Sequence, residues 1–111
     1  MEGMRNQEIA KIFYEIADFL DVEGVAFKPY AYRRAAIALE ALEEDVEAIY
    51  LRGGILALEE IPGVGKSIAG KIEEYLRRGK IRYYEEFQKR FPVKLEEIIA
   101  VEGMGPKRAK V

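Results

Sequence analysis

The fold of this chain is decided by residues 60–72, which read Glu60-Ile61-Pro62-Gly63-Val64-Gly65-Lys66-Ser67-Ile68-Ala69-Gly70-Lys71-Ile72. Two glycines, one residue apart, separate an acidic, leucine-rich segment from an amphipathic pattern that begins near Lys66. This arrangement predicts two helices joined by a tight turn. The glycines let the backbone turn sharply and leave its N–H groups uncovered, and the N-terminus of the following helix favours an anion. The turn is therefore expected to bind phosphate, with Lys66 adding a positive charge.

The same turn recurs near the end of the chain, where Gly103-Met104-Gly105 repeats Gly63-Val64-Gly65. Both copies have the pattern of a helix-hairpin-helix motif, which suits the backbone of a nucleic acid rather than its bases. A purely structural alternative is that both are interhelical turns whose central Val64 and Met104 lie in the core. On the binding hypothesis, the hairpin residues that contact DNA are Gly63, Val64, Gly65, Lys66, Ser67, Gly103, Met104, Gly105 and Lys107.

The composition excludes several classes of protein. With 111 residues, 50% hydrophobic and 34% charged, the chain has the size and balance of one globular domain. It contains no cysteine and no histidine, which excludes disulfides, thiolate metal sites, zinc fingers and histidine-based acid–base catalysis. No apolar run approaches the roughly 20 residues that span a bilayer, and Glu8 and Lys11 stand where a signal peptide would be apolar. We therefore expect a cytoplasmic protein without membrane contact, associated with the nucleoid if it is prokaryotic.

The net charge of −2 conceals a segregation of charge along the chain. Residues 35–60 hold seven acidic residues and one basic residue, whereas residues 61–82 hold six basic residues and two acidic ones. A molecule with one acidic and one basic side can bind phosphates locally while it remains acidic overall. For the acidic block we favour ordinary solvated charge.

Helical spacing of apolar residues extends along most of the chain. The first helix is predicted from Asn6, as its N-cap, to about Asp21, after a flexible segment 1–5. A second helix begins at Pro29, and a third, short helix runs from Asp45 to the Gly53-Gly54 pair.

The hairpin occupies residues 56–78 and ends at Gly79, and one more short helix carries Ile81, Tyr84, Phe87 and Phe91. A second hairpin is predicted over 92–111, and its last arm stops at Val111, as in a fragment of a longer protein. No run of alternating strand residues is present. The predicted fold is all-α, a compact bundle of short helices containing one helix-hairpin-helix motif and the start of a second.

Four segments in this order resemble the N-terminal domain of family X DNA polymerases, which include DNA polymerase beta. They are Ala31-Tyr32-Arg33-Arg34-Ala35-Ala36, Ile61-Pro62-Gly63-Val64-Gly65, Ile68-Ala69-Gly70-Lys71-Ile72-Glu73-Glu74-Tyr75-Leu76 and Gly79-Lys80-Ile81-Arg82. The resemblance implies that residues 6–91 form the DNA-binding, lyase-type domain and that 92–111 begin the polymerase domain.

In that family the domain holds the 5′-phosphate side of gapped or nicked DNA in base excision repair. Several members also remove a 5′-deoxyribose phosphate through a Schiff-base lysine. The resemblance places that lysine at Lys71 and the 5′-phosphate pocket at Lys28, Tyr32 and, in part, Arg33. It also implies a Na⁺ or K⁺ ion at the hairpin, held by backbone carbonyl oxygens such as those of Ile61 and Gly63. No cofactor is expected to be required for DNA binding.

The chain departs from the family pattern at four positions. The best-known members have a histidine where Phe27 stands, lysines where Ser67 and Tyr83 stand, and a glutamate where Gly70 stands. Lys66 restores part of the missing positive charge.

The chemistry of a Schiff base constrains Lys71 independently of the resemblance. The amine must be neutral to react, whereas an ordinary lysine has a pKa near 10.4. Arg78 and a neighbouring Lys28 or Arg33 would lower that pKa, and Glu74 would raise it. Arg33 and Arg34 lie about 100° apart on a helix, so only one of them is expected to face a common ligand. Tyr32 and Phe27 are either core residues or stacking partners for a base or a deoxyribose.

Two alternatives remain open. One is an accessory helix-hairpin-helix DNA-binding module without polymerase or lyase activity, and the other is a protein-interaction bundle that uses the acidic face. Polymerisation itself needs carboxylates that hold two metal ions, and Asp18, Asp21 and Asp45 form no close Asp-x-Asp pair. Mg²⁺ is accordingly expected only with a polymerase domain beyond Val111. The protein is expected to be monomeric, with DNA as its partner.

Overall fold

The computed structural model describes residues 4–90, and these residues form helices without any strand among them. The predicted all-α bundle is confirmed. The predicted hairpin at 92–111 and the first three residues lie outside the described part of the chain. Within residues 4–90, no helix combines the length and the apolar character needed to cross a bilayer. The helices are α1 (Met4–Val22), α2 (Lys28–Ala41), α3 (Val46–Glu59), α4 (Lys66–Arg78) and α5 (Arg82–Arg90).

The centre of the bundle is the pair α1 and α2, which make the most extensive contact between any two helices described. Apolar residues at helical spacing on α1, among them Ile9, Phe13 and Ile16, are fully buried. They meet a face of α2 that includes Ala35 and Ala36, which are also fully buried. Because alanine side chains are small, the two helices approach closely. The other helices pack around this pair.

The start of α1 differs from the sequence prediction, because Asn6 is not an N-cap. The helix already begins at Met4, so it includes Met4 and Arg5, which were predicted to belong to the segment 1–5. The Asn6 side chain is only 2% exposed. Its Nδ2 donates to the carbonyl of Glu44 at 2.9 Å, and its Oδ1 accepts from the backbone N–H of Val46 at 2.7 Å. A buried amide needs such partners, and here they are Glu44 in the connection between α2 and α3 and Val46 at the start of α3.

Helix α3 is capped and interrupted by residues that the sequence identified. The Asp45 carboxylate accepts a hydrogen bond from the Glu47 N–H at 2.8 Å, as an N-cap does. At Gly54 the backbone has φ 70° and ψ −162°, which breaks the helical geometry. Helical structure then continues to Glu59, so the predicted third helix and the first arm of the hairpin form one kinked helix. Only glycine adopts this conformation at low cost.

Helix α4 has the predicted bounds. Its buried face consists of Ile68, Ala69 and Ile72, and Gly79 ends it in the left-handed conformation at φ 76°. The Glu74 carboxylate accepts a hydrogen bond from the Arg82 N–H at 2.9 Å, which satisfies an amide at the start of α5. This bond fixes the start of α5 against α4.

Tyrosine–glutamate hydrogen bonds join helices at the surface of the bundle. Four tyrosines donate to glutamates on other helices, and three of these bonds link α1 to α2, α4 and α5. These hydrogen bonds join side chains of different helices and so help to fix the helices relative to one another. The pairs are Tyr14–Glu40 at 2.8 Å, Tyr50–Glu73 at 2.7 Å, Tyr75–Glu8 at 2.8 Å, and Tyr84–Glu15.

Candidate nucleic-acid interface

An open cavity of about 540 Å³ lies where α2, the hairpin turn, the start of α4 and the start of α5 meet. It brings together most of the site residues that the sequence predicted within residues 4–90. Both Lys66 and Lys71 face it, as the phosphate-binding hypothesis requires. The residues that line the cavity are Lys28, Ala31, Tyr32, Arg34, Gly63, Val64, Gly65, Lys66, Ser67, Ile68, Lys71 and Tyr83.

Gly63 fixes the hairpin turn against α2. Its φ of 94° lies in the left-handed region, and a Cβ at this position would lie 3.3 Å from the Cβ of Ala38. Glycine is therefore required both by the backbone and by the close approach of α2. The turn is closed by a hydrogen bond of 3.0 Å from the Val64 N–H to the Ile61 carbonyl.

Val64 lines the cavity but does not have the predicted role. Its residue is only 5% exposed and belongs to the hydrophobic core, and its N–H is used to close the turn. That amide is therefore not available to a phosphate. For Val64 these contacts favour the structural alternative, a core position inside an interhelical turn.

Gly65 leaves the mouth of the cavity open. It is the N-cap of α4, has φ −87° and ψ 179°, and makes no side-chain capping bond. A Cβ at this position would meet nothing within 4 Å, so neither the backbone nor packing in the described structure requires glycine here. The first helical bond runs from Ala69 N–H to Gly65 carbonyl at 2.8 Å. The N–H groups of residues 66–68 come before Ala69 in the chain, so no carbonyl within the helix accepts a hydrogen bond from them.

The lining of the cavity is strongly positive. It contains four cationic side chains, and no acidic residue is among the described residues that line it. Arg34 and Lys28 come from α2, whereas Lys66 and Lys71 come from α4. Together with the N-terminal end of the α4 dipole, these charges favour an anion.

Lys71 is half-buried in the cavity, and its Nζ lies 5.0 Å from the centre of the Tyr83 ring. Burial lowers the pKa of its amine; the carboxylate of Glu74 opposes this, and the charge of Lys28 adds to it. The sequence identified both charges, but burial, which contributes most, depends on the packing of α5. The direction of the shift favours the neutral amine that a Schiff base needs.

The aromatic residues around the cavity divide into core and surface. Tyr32 is 5% exposed and packs edge-to-face on Phe13 with ring centres 5.5 Å apart, so it is a core residue that reaches the cavity wall. Tyr83 stacks against it at 6.1 Å. Burial raises the pKa of both phenols, so both rings are neutral near neutral pH.

Phe27, in contrast, is 89% exposed and precedes Lys28 at the start of α2. Its backbone is left-handed at φ 70° and ψ −42°, and it lies in a three-residue turn closed by the Lys28 N–H and the Ala26 carbonyl at 2.8 Å. A bulky residue in this region is strained, and such strain is often found at functional sites.

Arg33 does not line the cavity. Its guanidinium donates to Asp18 at 2.8 Å and to Asp21 at 2.5 Å, both on α1. These two carboxylates raise the pKa of Arg33, Asp21 more than Asp18. The neighbouring Arg34 faces the cavity instead, which corrects the placement of Arg33 in the phosphate pocket. Lys28, Ala31 and Arg34 are spaced three residues apart and so lie on one face of α2. This spacing in the sequence could have identified Arg34 as the arginine that lines the cavity.

The remaining predicted site residues are of two kinds. Gly103, Met104, Gly105 and Lys107 lie outside residues 4–90. The predicted cation at Ile61 and Gly63 would have to be bound by backbone carbonyl oxygens. Residues 4–90 contain no cluster of acidic side chains that could hold a metal ion. The Ile61 carbonyl accepts the Val64 N–H, and its second lone pair leaves it able to bind a cation.

Comparison with known proteins agrees with this geometry. Residues 4–81 match a family model described as a helix-hairpin-helix domain. The chain is 30% identical over 106 residues to the DNA polymerase/3′-5′ exonuclease PolX of Bacillus subtilis, in an alignment that covers 95% of this chain and 18% of that protein. It is 35% identical over 104 residues to a DNA ligase of Thermotoga neapolitana, covering 86% of this chain and 14% of the ligase. The resemblance to the N-terminal domain of family X polymerases is confirmed.

Proposed function

Because this chain belongs to the helix-hairpin-helix domain family, we propose that it binds DNA without sequence specificity and holds the 5′-phosphate of a gap or nick in its cavity. The observation that carries the proposal is the cavity itself. Four cationic side chains line it, the N-terminus of α4 opens at it, and no acidic side chain is among the described residues that line it. Contacts of this kind position a nucleic-acid backbone and do not read bases.

Both relatives support DNA as the ligand and differ in what they suggest about the whole protein. A DNA polymerase and a DNA ligase have only DNA in common by name. This chain spans less than a fifth of either relative. The match to PolX favours the N-terminal domain of a repair polymerase. The match to the ligase favours the alternative, an accessory DNA-binding module in another enzyme. An intracellular location follows from either proposal.

The departures from the family pattern are compatible with a phosphate site in this cavity. Ser67 and Tyr83 remove two positive charges relative to the best-known members, while Lys66 and Arg34 supply two at the same cavity. Phe27 presents an exposed ring beside Lys28, where it is suited to stack on an unpaired base. The carbonyls of Ile61 and Gly63 would hold a Na⁺ or K⁺ ion, whose positive charge would add to the attraction for a backbone phosphate.

Binding is tested by fluorescence anisotropy with gapped DNA that carries either a 5′-phosphate or a 5′-hydroxyl. We expect tighter binding of the phosphorylated DNA, little dependence on base sequence, and a steep loss of affinity with salt. Lys66→Ala should reduce the preference for phosphate, whereas Lys80→Ala is a matched control because Lys80 is exposed and lies outside the cavity. Equal affinity for both 5′ ends would contradict the proposal.

A 5′-deoxyribose phosphate lyase step is the second part of the proposal, and Lys71 carries it. The neutral amine attacks the aldehyde carbon C1′ of the ring-opened sugar. The carbonyl oxygen leaves as water with one proton from the amine and one from solvent, and an iminium cation forms. Loss of a C2′ proton to water then breaks the C3′–O bond, whose electron pair leaves with the phosphate of the downstream strand. Water hydrolyses the iminium and returns the free lysine.

Borohydride reduction tests the lyase step, because it traps the iminium as a stable protein–DNA adduct. We expect wild-type protein to form the adduct with a 5′-deoxyribose phosphate end and Lys71→Ala to form none. Lys66→Ala serves as the control for a second cavity lysine. An adduct that persists in Lys71→Ala would exclude Lys71 as the nucleophile.

A further inference from the structure

Tyr83 presents the face of its ring to the Lys71 amine, with the nitrogen 5.0 Å from the ring centre. The ring belongs to the first turn of α5 and is fixed by its neighbours. It stacks on Tyr32 with ring planes 23° apart and meets Phe87 edge-to-face at 4.9 Å. Phe87 is 1% exposed, so the support under Tyr83 is part of the core. The position of the ring relative to Lys71 is therefore set by the fold.

Packing alone does not account for this arrangement. Tyr83 is only half-buried and forms part of the cavity wall, so one side of the residue faces the space that a ligand would occupy. The Lys71 amine lies over the face of this ring, which attracts a positive charge through the ring quadrupole.

We propose that Tyr83 is a positioning residue for the Schiff-base reaction, whose ring face holds the Lys71 nitrogen and stabilises the iminium cation that forms on it. The inference rests on the lyase step proposed above. A neutral amine gains little from the ring, whereas the iminium carries a full positive charge on the same nitrogen. The ring therefore favours the covalent intermediate over the neutral amine, and it holds the iminium from which the C2′ proton is lost.

The charges around Lys71 make this contribution useful. Lys28 on α2 is close enough to disfavour a positive charge on Lys71, and burial does the same. These effects help to deprotonate the amine, but they also oppose the iminium. An aromatic face offsets that penalty without adding a negative charge, which would repel the 5′-phosphate in the same cavity.

The test compares Tyr83→Phe and Tyr83→Leu in single-turnover borohydride trapping with 5′-deoxyribose phosphate DNA. Phenylalanine keeps the ring face, so its trapping rate should stay within about twofold of wild type, whereas leucine should slow trapping by about 3- to 30-fold. Affinity for gapped DNA with an ordinary 5′-phosphate should change by less than about twofold in both variants, because no charge is lost.

A series of fluorinated variants separates the electrostatic effect of the ring face from the effect of the ring's shape. Fluorinated phenylalanines at position 83 keep size and packing while they weaken the attraction for a cation, so the trapping rate should fall with each added fluorine. A flat series, or Tyr83→Leu trapping as fast as wild type, would overturn the role of Tyr83 and leave the lyase step standing. If Tyr83→Phe trapped as slowly as Tyr83→Leu, the effect would come from the tyrosine hydroxyl and not from the ring face, and the proposed role of the ring would be overturned. No adduct with wild-type protein would instead overturn the lyase step itself.

Discussion

Arg33 and Arg34 are consecutive residues of α2 that serve different parts of the molecule. Arg33 bridges Asp18 and Asp21 of α1, whereas Arg34 faces the cationic cavity. The helical rotation of about 100° between neighbouring residues separates them. One arginine therefore stabilises the fold, and the other is available to a ligand.

Replacing each arginine by alanine should separate these roles. Arg34→Ala should weaken binding of 5′-phosphorylated gapped DNA and reduce the slope of affinity against salt by about one, as expected for the loss of one phosphate contact. Arg33→Ala should leave that slope unchanged and lower the free energy of unfolding by about 1 kcal/mol or less, because its ion pairs are partly exposed. Anisotropy titrations at several salt concentrations and urea denaturation measure the two effects. A change in salt slope with Arg33→Ala would contradict this assignment.

The two hairpin glycines should also respond differently to alanine. Gly63→Ala places a Cβ in a left-handed residue and 3.3 Å from Ala38, so it should cost about 1–3 kcal/mol of stability. Gly65→Ala meets open space with an ordinary φ of −87° and should cost less than about 1 kcal/mol. Because the added methyl lies at the mouth of the cavity, Gly65→Ala should nevertheless weaken phosphate binding. Thermal denaturation and anisotropy of the same two variants test this, and normal DNA affinity in Gly65→Ala would argue against close approach of a phosphate.

Glu74→Gln should lower the pKa of Lys71 further, because the carboxylate of Glu74 is the charge that raises it. Glutamine can still accept the hydrogen bond from Arg82 N–H, so α5 should stay in place. Titration of the Lys71 side chain by NMR measures the shift directly, and Glu60→Gln, an exposed glutamate that does not affect this amine, is the control. An unchanged pKa in Glu74→Gln would contradict the coupling.

The same shift predicts how stability depends on pH. The folded-state pKa of Lys71 lies below its ordinary value of 10.5, so the unfolded chain binds more protons between these two values. The contribution of Lys71 to stability should therefore rise as pH increases through this window. Lys71→Met should remove that part of the pH dependence in chemical denaturation.

Asn6→Ala should be among the more destabilising single changes in α1. It leaves the Val46 N–H without its acceptor in a buried setting and removes the donor to the Glu44 carbonyl. We expect a loss of about 1–3 kcal/mol for the orphaned backbone groups. Asn6→Asp keeps the acceptor and loses the donor, so it should retain part of the stability at neutral pH. Chemical denaturation of both variants checks the order.

Phe27→Gly should affect stability and binding in opposite directions. Glycine relieves a left-handed backbone that costs a bulky residue about 1–2 kcal/mol, and little packing is lost because Phe27 is 89% exposed. If the ring stacks on a base, affinity for gapped DNA should fall by about 1–3 kcal/mol. Tyr30→Ala, which removes another exposed ring of α2, is the control. Unchanged affinity in Phe27→Gly would exclude stacking.

The hairpin was predictable from the sequence because its residues act on neighbours in the chain. The residues that were misplaced have partners that are distant in the sequence. Gly79 ends α4 and Asp45 begins α3 because each acts within a few residues of its own position. Asn6 was misplaced because its partners lie about 40 residues away, where the local preference of asparagine for an N-cap gives no information. Arg33 was misplaced for a similar reason, since Asp18 and Asp21 face it only after α1 and α2 pack together.

The contacts of Asn6 also determine when α1 can dock during synthesis of the chain. Helix α1 is synthesised before α2 and α3, but the Asn6 amide at its start meets its protein partners only when residues 44–46 have followed. Until then the nascent N-terminal helix has an unsatisfied polar group beside its apolar stripe and cannot complete its docking. Docking of α1 against α2 should therefore be completed only when the start of α3 has also been synthesised, rather than by adding one helix at a time.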